Sequence, residues 1–499
     1  MFDELIEPPR PPLLERWFAP DAQTSETYLR ARWIWLRALG GIFFSAFLAL
    51  WFQIDGLIGP RGILPAGRYL TAVREALGLR GYWLAPTLLW FSSSTAMLHA
   101  IVIAGLIASV ALMLSIWPRL SIVIAGVTFL SFVSAAQDFS GYQSDGMLLE
   151  AALLSFFFAP RGLRPGLGAS QPPSRASLFM LRWEWFRIYF ESGLVKIMSG
   201  ETQWRDLTAM DRYYENGPLP TWLGWYVQQW PHRFHAASAA ATLLIELFVV
   251  WLLFFGRRSR ILCFWIVTPL QIGIILTANY AFLNYLVLML GVLLLDDRAL
   301  RASPPAAVVP RKPSLVAAVV LTTVFIATIV VFIAPSMPIV NLPAVLLEPF
   351  RVANGYGLFA VMTRARYEIE FQGTADGKTW IAYPFDFKPQ DVGARPGLYA
   401  PYQPRFDWNL WFASLGSWDG NRWVLTTESR LLENESSVLR LFARNPFEGK
   451  PPIAVRAVVW QYWFTTRAEH ARTGAWWRRR YLGEYAPTAL RTKEGISFE

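Results

Sequence analysis

Long apolar runs separated by short polar connections fill the first two thirds of the chain. A membrane-spanning helix needs roughly 20 mostly apolar residues. The clearest candidates are residues 33–54, 96–117, 120–136, 237–255, 261–278, 280–295 and 315–333. Two less apolar stretches have a similar pattern: 146–159 contains Glu150, and 177–198 contains several charged residues. With both counted, the pattern predicts a polytopic α-helical membrane protein of about nine spans.

Basic residues are concentrated in alternate connections between these runs, a distribution typical of cytoplasmic loops. They are Arg119, Arg161, Arg164, Arg257, Arg258 and Arg260, with Arg298, Arg301, Arg311 and Lys312 after the eighth span. The intervening connections "QDFSGYQSD" and "TANYAFLN" contain neither lysine nor arginine. We therefore predict a cytoplasmic segment at 1–31 and a transmembrane domain at 32–335. Because the expected number of spans is odd, the remainder of the chain should lie on the non-cytoplasmic side.

From about residue 346 the long apolar runs end and apolar positions alternate with polar ones. "YEIEFQG" and "WIAYPFDF" have the period of a β-strand, and Asp376–Gly377 between them is a turn signal. "IAVRAVVWQYWF" predicts a further strand, whereas "FDWNLWFASLG" and "TTESRLLENESSVLRLFARNP" predict helices. We expect an extramembrane α+β domain at 346–499, which is an ordinary size for one domain.

Composition agrees with a membrane protein. Of 499 residues, 54% are hydrophobic and 16% are charged, whereas soluble domains carry about a quarter charged residues. The single cysteine, Cys263, excludes an intramolecular disulfide. The formal net charge is +10, but the arginines are dispersed beside apolar segments and do not form one stripe. We therefore expect membrane lipid, and no nucleic acid, among the partners.

Several ionisable residues lie inside the apolar run at 177–198. Glu184, Arg187 and Glu191 are spaced i, i+3 and i+7, so they share one face of a helix and can form ion pairs. Charged side chains within a span are costly and usually face the interior of the bundle. This face of the helix is therefore expected to be enclosed by other helices.

Lys196 lies in "FESGLVKIMSG", five residues beyond Glu191 and on another part of the helix surface. Asp145 and Glu150, in "QSDGMLLE", are its expected partners. Three interpretations remain open: structural ion pairs, a binding or catalytic pocket, or a lysine that extends to the membrane interface. On the second interpretation Lys196, Glu191, Asp145 and Glu150 are the candidate catalytic residues.

Motifs for other chemistry are sparse. His232 and His235 in "HRFH" could form half of a metal site, but no Cys, Asp or Glu stands close by in the sequence. No phosphate-binding loop or nucleophile elbow is present. We expect neither a metal nor another cofactor.

Several segments resemble the lipase maturation factor family. They are "FESGLVKIMSGETQWRDLTAMDRYYENGPLPTWLGWYVQQWPHRFH", "GLIGPRGILPA", "YQSDGMLLE", "EPFRVANGYGLFAVMTRARYEIEFQGTADGKTW" and "PRFDWNLWFASLG". The resemblance implies a membrane-embedded factor that helps secreted, lipase-like client proteins reach their active folded state. It implies the endoplasmic reticulum membrane in eukaryotic relatives and the inner membrane for a bacterial member. Signature positions expected to bind the client or to support the structure are Trp204, Arg205, Asp206, Asn354, Gly355, Tyr356, Gly357, Trp408 and Trp411.

A weaker similarity joins "SGLVKIMSGETQWRD" to the transmembrane domain of vitamin K-dependent gamma-carboxylase, with Lys196 at the position of an active-site lysine. It implies an alternative function, a membrane enzyme acting on a lipid-like or quinone-like substrate. A buried lysine can become a useful base, but a shared fold does not transfer the reaction. A transporter is not expected, because no inverted repeat is visible.

The segment "NGYG" has two interpretations. Asn354, Gly355 and Gly357 are residue types that allow a tight turn before the first strand. The functional alternative is that this segment orients the client-binding domain against the membrane.

Overall fold

The computed structural model describes residues 12–18, 26–301, 313–333 and 341–499. Parts of the predicted cytoplasmic segment 1–31 and the predicted domain boundary at 335 lie outside the described residues. The α-helices are α1 (Leu13–Phe18), α2 (Leu29–Ile58), α3 (Ala66–Leu77), α4 (Arg80–Leu84), α5 (Thr95–Met113), α6 (Pro118–Val133), α7 (Gln143–Phe158), α8 (Arg175–Met198), α9 (Thr202–Arg205), α10 (Tyr213–Asn216), α11 (Trp222–Gln228), α12 (His232–Leu247), α13 (Arg257–Thr277), α14 (Leu283–Gly291), α15 (Leu315–Ile333), α16 (Leu342–Leu347), α17 (Arg405–Ala413), α18 (Trp423–Leu432), α19 (Ser436–Leu439) and α20 (Arg467–Thr473). The strands are β1 (Arg366–Thr374), β2 (Ile381–Ala382), β3 (Ala454–Phe464), β4 (Trp477–Glu484), β5 (Ala489–Thr492) and β6 (Gly495–Phe498).

All nine predicted spans are helical for most of their length. Within the described part of the chain, five helical segments are long and apolar enough to cross a membrane: α2, α5, α12 with the 3₁₀ turn that follows it, α13 and α15. Helices α6, α7 and α14 are shorter, and α8 carries the charged residues discussed above. The count of nine spans therefore stays a prediction, whereas a bundle of membrane-crossing helices is present.

Helix α2 is the central element of the bundle, because it packs along α5 and also contacts α6, α7 and α14. Its aromatic side chains Trp35, Phe43 and Phe47 are fully buried. Gly105 on α5 has no side chain, and any Cβ at that position would overlap the ring of Phe47. The close contact of α2 and α5 thus depends on a glycine opposite a large ring.

The C-terminal region, residues 341–499, contains one six-stranded sheet with the order β2-β1-β3-β5-β6, and β4 pairs with β3 as well. Strands β1 and β3 are antiparallel over their shared length, with Arg366 opposite Tyr462 and Thr374 opposite Ala454. The predicted strand at 453–464 is confirmed. The predicted strand at 380–387 is wrong beyond Ile381–Ala382. Pro384 lacks a backbone N–H, so the chain leaves the sheet there.

Both predicted helical segments in this region form, with altered bounds. "FDWNLWFASLG" corresponds to α17, whereas "TTESRLLENESSVLRLFARNP" is divided between α18 and α19. The division occurs at Asn434, whose φ of 58° is left-handed and ends the helix. Helices α17 and α18 cover one face of the sheet, where Phe371 stacks on Phe406 and contacts Phe442 edge to face.

Glu428 on α18 is fully buried beneath β3. Burial raises the pKa of the Glu428 carboxyl from its ordinary value of 4.5 to about 9. The folded protein therefore holds a proton there at neutral pH, whereas the unfolded chain does not. The contribution of Glu428 to the free energy of unfolding is therefore fully present below pH 4.5 and is lost as the pH rises through about 9. Over that interval this group lowers the free energy of unfolding by about 1.4 kcal/mol per pH unit.

Replacing Glu428 by glutamine is expected to raise the thermal unfolding midpoint of the protein at about pH 8 and to change it little at about pH 5. Glutamine keeps the shape of the protonated acid but has no proton to lose in the unfolded state. Melting curves in detergent at both pH values measure the difference. Glu448→Gln, at an exposed position, is the matched control and should show no pH-dependent gain. An equal gain for Glu428→Gln at both pH values would contradict this account.

Candidate functional site

The segment "NGYG" lies directly on the buried charges of α7 and α8. One carboxylate oxygen of Glu150 accepts hydrogen bonds from the Asn354 backbone N–H at 3.1 Å, the Asn354 side-chain amide at 3.0 Å and the Tyr356 hydroxyl at 2.9 Å. The other oxygen is ion-paired with the Arg187 guanidinium. Arg187 in turn donates to the Asn354 carbonyl at 2.6 Å. The ion pair inside the bundle therefore also holds the chain that leads into the sheet region.

Glu191 extends this contact by one helical turn. Its carboxylate accepts the Tyr356 backbone N–H at 2.7 Å and lies 3.9 Å from Arg187. Two further backbone N–H groups of the segment are bound by α7 and α8: Gly357 donates to Gln143 at 3.1 Å and Leu358 to Ser192 at 3.2 Å. Of the five backbone N–H groups from Asn354 to Leu358, all but that of Gly355 therefore donate to side chains of α7 or α8.

The tight turn expected at Asn354, Gly355 and Gly357 stays a prediction, and no left-handed backbone conformation of the two glycines supports it. Gly355 and Gly357 are absent from the residues of positive φ within the described part of the chain. Space is the constraint instead. A Cβ at Gly146 on α7 would lie 2.7 Å from the Asn354 side-chain oxygen, and one at Gly355 would lie 3.0 Å from Val331. Close approach to the bundle is what these positions require.

The predicted charged face of α8, formed by Glu184, Arg187 and Glu191, is only partly ion-paired. Arg187 pairs with Glu150 and lies near Glu191, as the spacing suggests. Glu184 is fully buried, and neither of its carboxylate oxygens has a hydrogen-bond partner among the described residues. The prediction that Glu184 pairs with Arg187 is therefore wrong, because Arg187 is directed to Glu150 and Asn354.

Lys196 is ion-paired with Glu246 on α12, not with Asp145 or Glu150 as we expected. Its ammonium lies 2.9 and 2.8 Å from the two carboxylate oxygens, and Lys196 is 1% exposed. Helix α12 can approach because α8 has Gly193 at the contact, where a Cβ would lie 2.8 Å from the Glu246 Cβ. The interpretation in which Lys196 extends to the interface is excluded by this burial. The ammonium charge is neutralised inside the bundle.

Trp204, in the segment that follows α8, covers the Lys196–Glu246 ion pair. The Lys196 ammonium lies 5.1 Å from the centre of the Trp204 ring, a cation–π contact, and the indole N–H donates to the Phe359 carbonyl at 2.9 Å. The neighbouring signature residues Arg205 and Asp206 are exposed. Trp204 thus links the end of α8 to the segment that follows "NGYG".

Asp145 takes part in a second bond between the bundle and the C-terminal region. Arg405, the first residue of α17, donates to both Asp145 carboxylate oxygens at 2.8 Å and to the Phe139 carbonyl at 2.9 Å. Arg405 and Asp145 are 0% and 1% exposed. An ion pair this deeply buried requires both partners, because either charge alone would lack water and counter-charge.

The signature tryptophans of α17 lie at the same contact. Trp408 is buried and stacks on Tyr142 with ring centres 5.3 Å apart. The Tyr142 hydroxyl donates to Asn409 on α17. Trp411 is also buried. Both tryptophans are thus largely enclosed by other parts of the chain.

Sequence reasoning missed Glu246, Arg405 and Arg366. Glu246 is the one acidic residue within the apolar run at 237–255, which is a usable signal for a buried charge. Arg366 at the start of β1 is fully buried and donates to the carbonyls of Glu215 at 3.1 Å and Pro218 at 2.9 Å. It ties the sheet to the long loop after α8.

No group of three or more His, Cys, Asp or Glu residues that could hold a metal ion occurs in residues 12–18, 26–301, 313–333 and 341–499. The two histidines of "HRFH" bind different partners: His232 contacts Asp211 at 2.9 Å, and His235 contacts the Trp230 carbonyl at 3.0 Å.

Comparison with known proteins covers nearly the whole chain. The family model described as the lipase maturation factor transmembrane domain matches residues 30–302, and the one described as the lipase maturation factor C-terminal domain matches residues 352–487. The chain is 33% identical to lipase maturation factor 1 of Bos taurus, over 93% of this chain and 90% of that protein. It is 31% identical to lipase maturation factor 1 of Homo sapiens, over 96% and 92%. Identity to lipase maturation factor 2 of Gallus gallus is 30%, over 92% and 81%. No solved structure matches the chain.

Proposed function

We propose a function for this chain from one premise: it belongs to the lipase maturation factor family. It is a membrane protein with transmembrane helices. We propose that it assists secreted lipases in reaching their folded, assembled and active state. The observation that carries the proposal is the match of both family domains in order, with similarity to proteins named for lipase maturation over most of the chain.

The proposed mechanism is that of a scaffold, in which the C-terminal region binds the client and the bundle holds that region at the membrane. Its support comes from the two buried junctions, Glu150–Arg187 with Asn354 and Asp145–Arg405. Both fix the C-terminal region against α7 and α8. A scaffold needs a fixed surface for partly folded clients and no reacting group.

We further propose that the C-terminal region lies on the non-cytoplasmic side, where secreted clients fold. The endoplasmic reticulum membrane in eukaryotes, or the inner membrane in bacteria, would meet that requirement. The distribution of arginines supports this orientation. A cysteine placed at the exposed Glu448 should react, in intact cells or sealed vesicles, with a reagent confined to that side. The buried Cys263 adds little background.

The enzyme alternative has less support. In it Lys196 would act as the base, assisted by Glu191, Asp145 or Glu150. Each of the four groups already has a charged or hydrogen-bonding partner within the chain. A base that takes protons from a substrate needs access to it. Lys196 is instead held by both oxygens of Glu246 and covered by Trp204.

Expression of the chain in cells that lack a lipase maturation factor tests the proposal. Together with a lipase that depends on such a factor, the chain is expected to raise the specific activity of the secreted lipase. A secreted enzyme that is not a lipase should be unaffected and is the control. If the full-length chain reaches the membrane and secreted lipase stays inactive, the proposed function is wrong for that class of client.

A further inference from the structure

Strand β4 is an edge strand of the sheet in the C-terminal region. Within the part of the chain that the structure describes, it pairs with β3 and with no other strand. The Trp477 backbone N–H points away from β3 and bonds the Val392 carbonyl at 3.1 Å, while Thr465 donates to the Trp476 carbonyl at 3.0 Å. Because bonding alternates along an antiparallel pair, the N–H and C=O groups of Arg479 and Tyr481 point away from β3 as well. This edge can accept another strand.

The side chains of this edge are basic and aromatic. Arg478, Arg479, Arg480, Tyr481 and Leu482 are all exposed. Arg479 and Tyr481 lie on one face of the strand, against Trp460: the guanidinium is 4.1 Å from the ring centre, and the tyrosine ring is 5.2 Å away. Arg480 lies on the opposite face and donates to Gln461 at 3.0 Å.

The charge of the edge is only partly balanced. Arg478 lies 3.3 Å from Glu469 and Arg479 lies 3.3 Å from Glu370, whereas the Arg480 guanidinium contacts the neutral amide of Gln461 and the Trp463 ring. Proteins commonly place charges on an edge strand to prevent unwanted pairing. Strand β4 has three arginines and one carboxylate, Glu484, so its excess positive charge repels basic segments and favours acidic ones.

We propose that β4 binds an extended acidic segment of a client polypeptide as an added strand. This proposal rests on the proposed function, and it names the surface that holds the client. The outward backbone groups of Arg479 and Tyr481 supply the hydrogen bonds, and the flanking arginines select acidic side chains on both faces of the added strand. A flat membrane surface fits less well, because the arginines alternate between the two faces of β4.

Peptide binding to the purified full-length chain tests this surface. The probe is a short fluorescent peptide in which glutamate alternates with valine or tyrosine, and its affinity is measured by fluorescence anisotropy. Arg478→Glu with Arg480→Glu is expected to weaken binding about tenfold or more. Arg444→Glu with Lys450→Glu, exposed basic positions elsewhere in the same region, is the matched control and should bind as the wild type does.

A peptide methylated on alternate backbone nitrogens separates strand addition from simple charge attraction. It keeps every glutamate but lacks the N–H groups that would bond the β4 carbonyls, so its binding should be lost. Equal binding of the methylated and unmethylated peptides would overturn the proposal. Binding of anionic lipid vesicles, lost in Arg478→Glu with Arg480→Glu, would also overturn it if no peptide binds.

The lipase assay keeps this proposal separate from the proposed function. If the wild type activates the lipase and Arg478→Glu with Arg480→Glu does so equally well, the strand edge is not the client surface. If the wild type itself fails in that assay, the proposed function is wrong, whatever the peptides do.

Discussion

Replacing Arg405 by methionine is expected to lower the free energy of unfolding by about 3–5 kcal/mol. Methionine approximates the length of the arginine stem but removes the two hydrogen bonds to Asp145, which would remain ionisable and buried at 1% exposure. The loss should appear as a lower thermal midpoint in detergent and as less protein in the membrane. It should be accompanied by easier proteolysis of the C-terminal region, since this pair joins that region to α7.

The chain offers a matched control for this prediction. Arg440 and Asp55 also join the C-terminal region to the bundle, at 3.4 Å, but the Arg440 side chain is 62% exposed. Arg440→Met should therefore cost less than about 1 kcal/mol. Arg405→Met with Asp145→Leu should recover much of the stability, because it leaves no unpaired charge. An Arg405→Met protein as stable as Arg440→Met would contradict the account.

Replacing Lys196 by alanine should have an effect of similar size inside the bundle, about 3–5 kcal/mol. The carboxylate of Glu246 would lose its counter-charge, and the cation–π contact with Trp204 would disappear as well. The thermal midpoint and the amount of protein in the membrane are the measurements. Loss of activity in this variant alone cannot assign a catalytic role, because unfolding would explain it equally well.

A second substitution distinguishes the two causes. Lys196→Met with Glu246→Leu replaces the ion pair by apolar side chains of comparable size, so stability should return toward that of the wild type. If the double variant is no more stable than Lys196→Ala, the stability that Lys196 provides does not come from its ion pair with Glu246.

Local pattern was sufficient to predict much of the fold. The bounds of α15 equal those of the predicted run at 315–333, and β3 begins within one residue of the predicted strand. The length and period of apolar runs are local properties, so a sequence displays them directly. The shortened strand at 380–387 shows the limit, because one proline at 384 prevents continued pairing in spite of the alternation.

Several charged residues of the candidate site were expected to be enclosed by helices, but most of their partners on other elements were not predicted. Lys196, Glu191, Asp145 and Glu150 are all buried and all bonded, as their cost in a membrane requires. Their partners lie 50 residues away for Lys196 and 260 away for Asp145. Tertiary packing decides which helix lies beside α8, for example through the close approach of α12 to Gly193. No local sequence pattern encodes that choice.

In the proposed mechanism the buried ion pairs stabilise the fold, and the chain acts as a scaffold without a reacting group. The most direct test measures secreted lipase activity with Lys196→Met and Glu246→Leu combined, at matched protein level in the membrane. The account predicts activity close to that of the wild type, since no charge is left unpaired and no reacting group is removed. A double variant that is folded and abundant yet inactive would contradict the scaffold mechanism and support a catalytic role for Lys196.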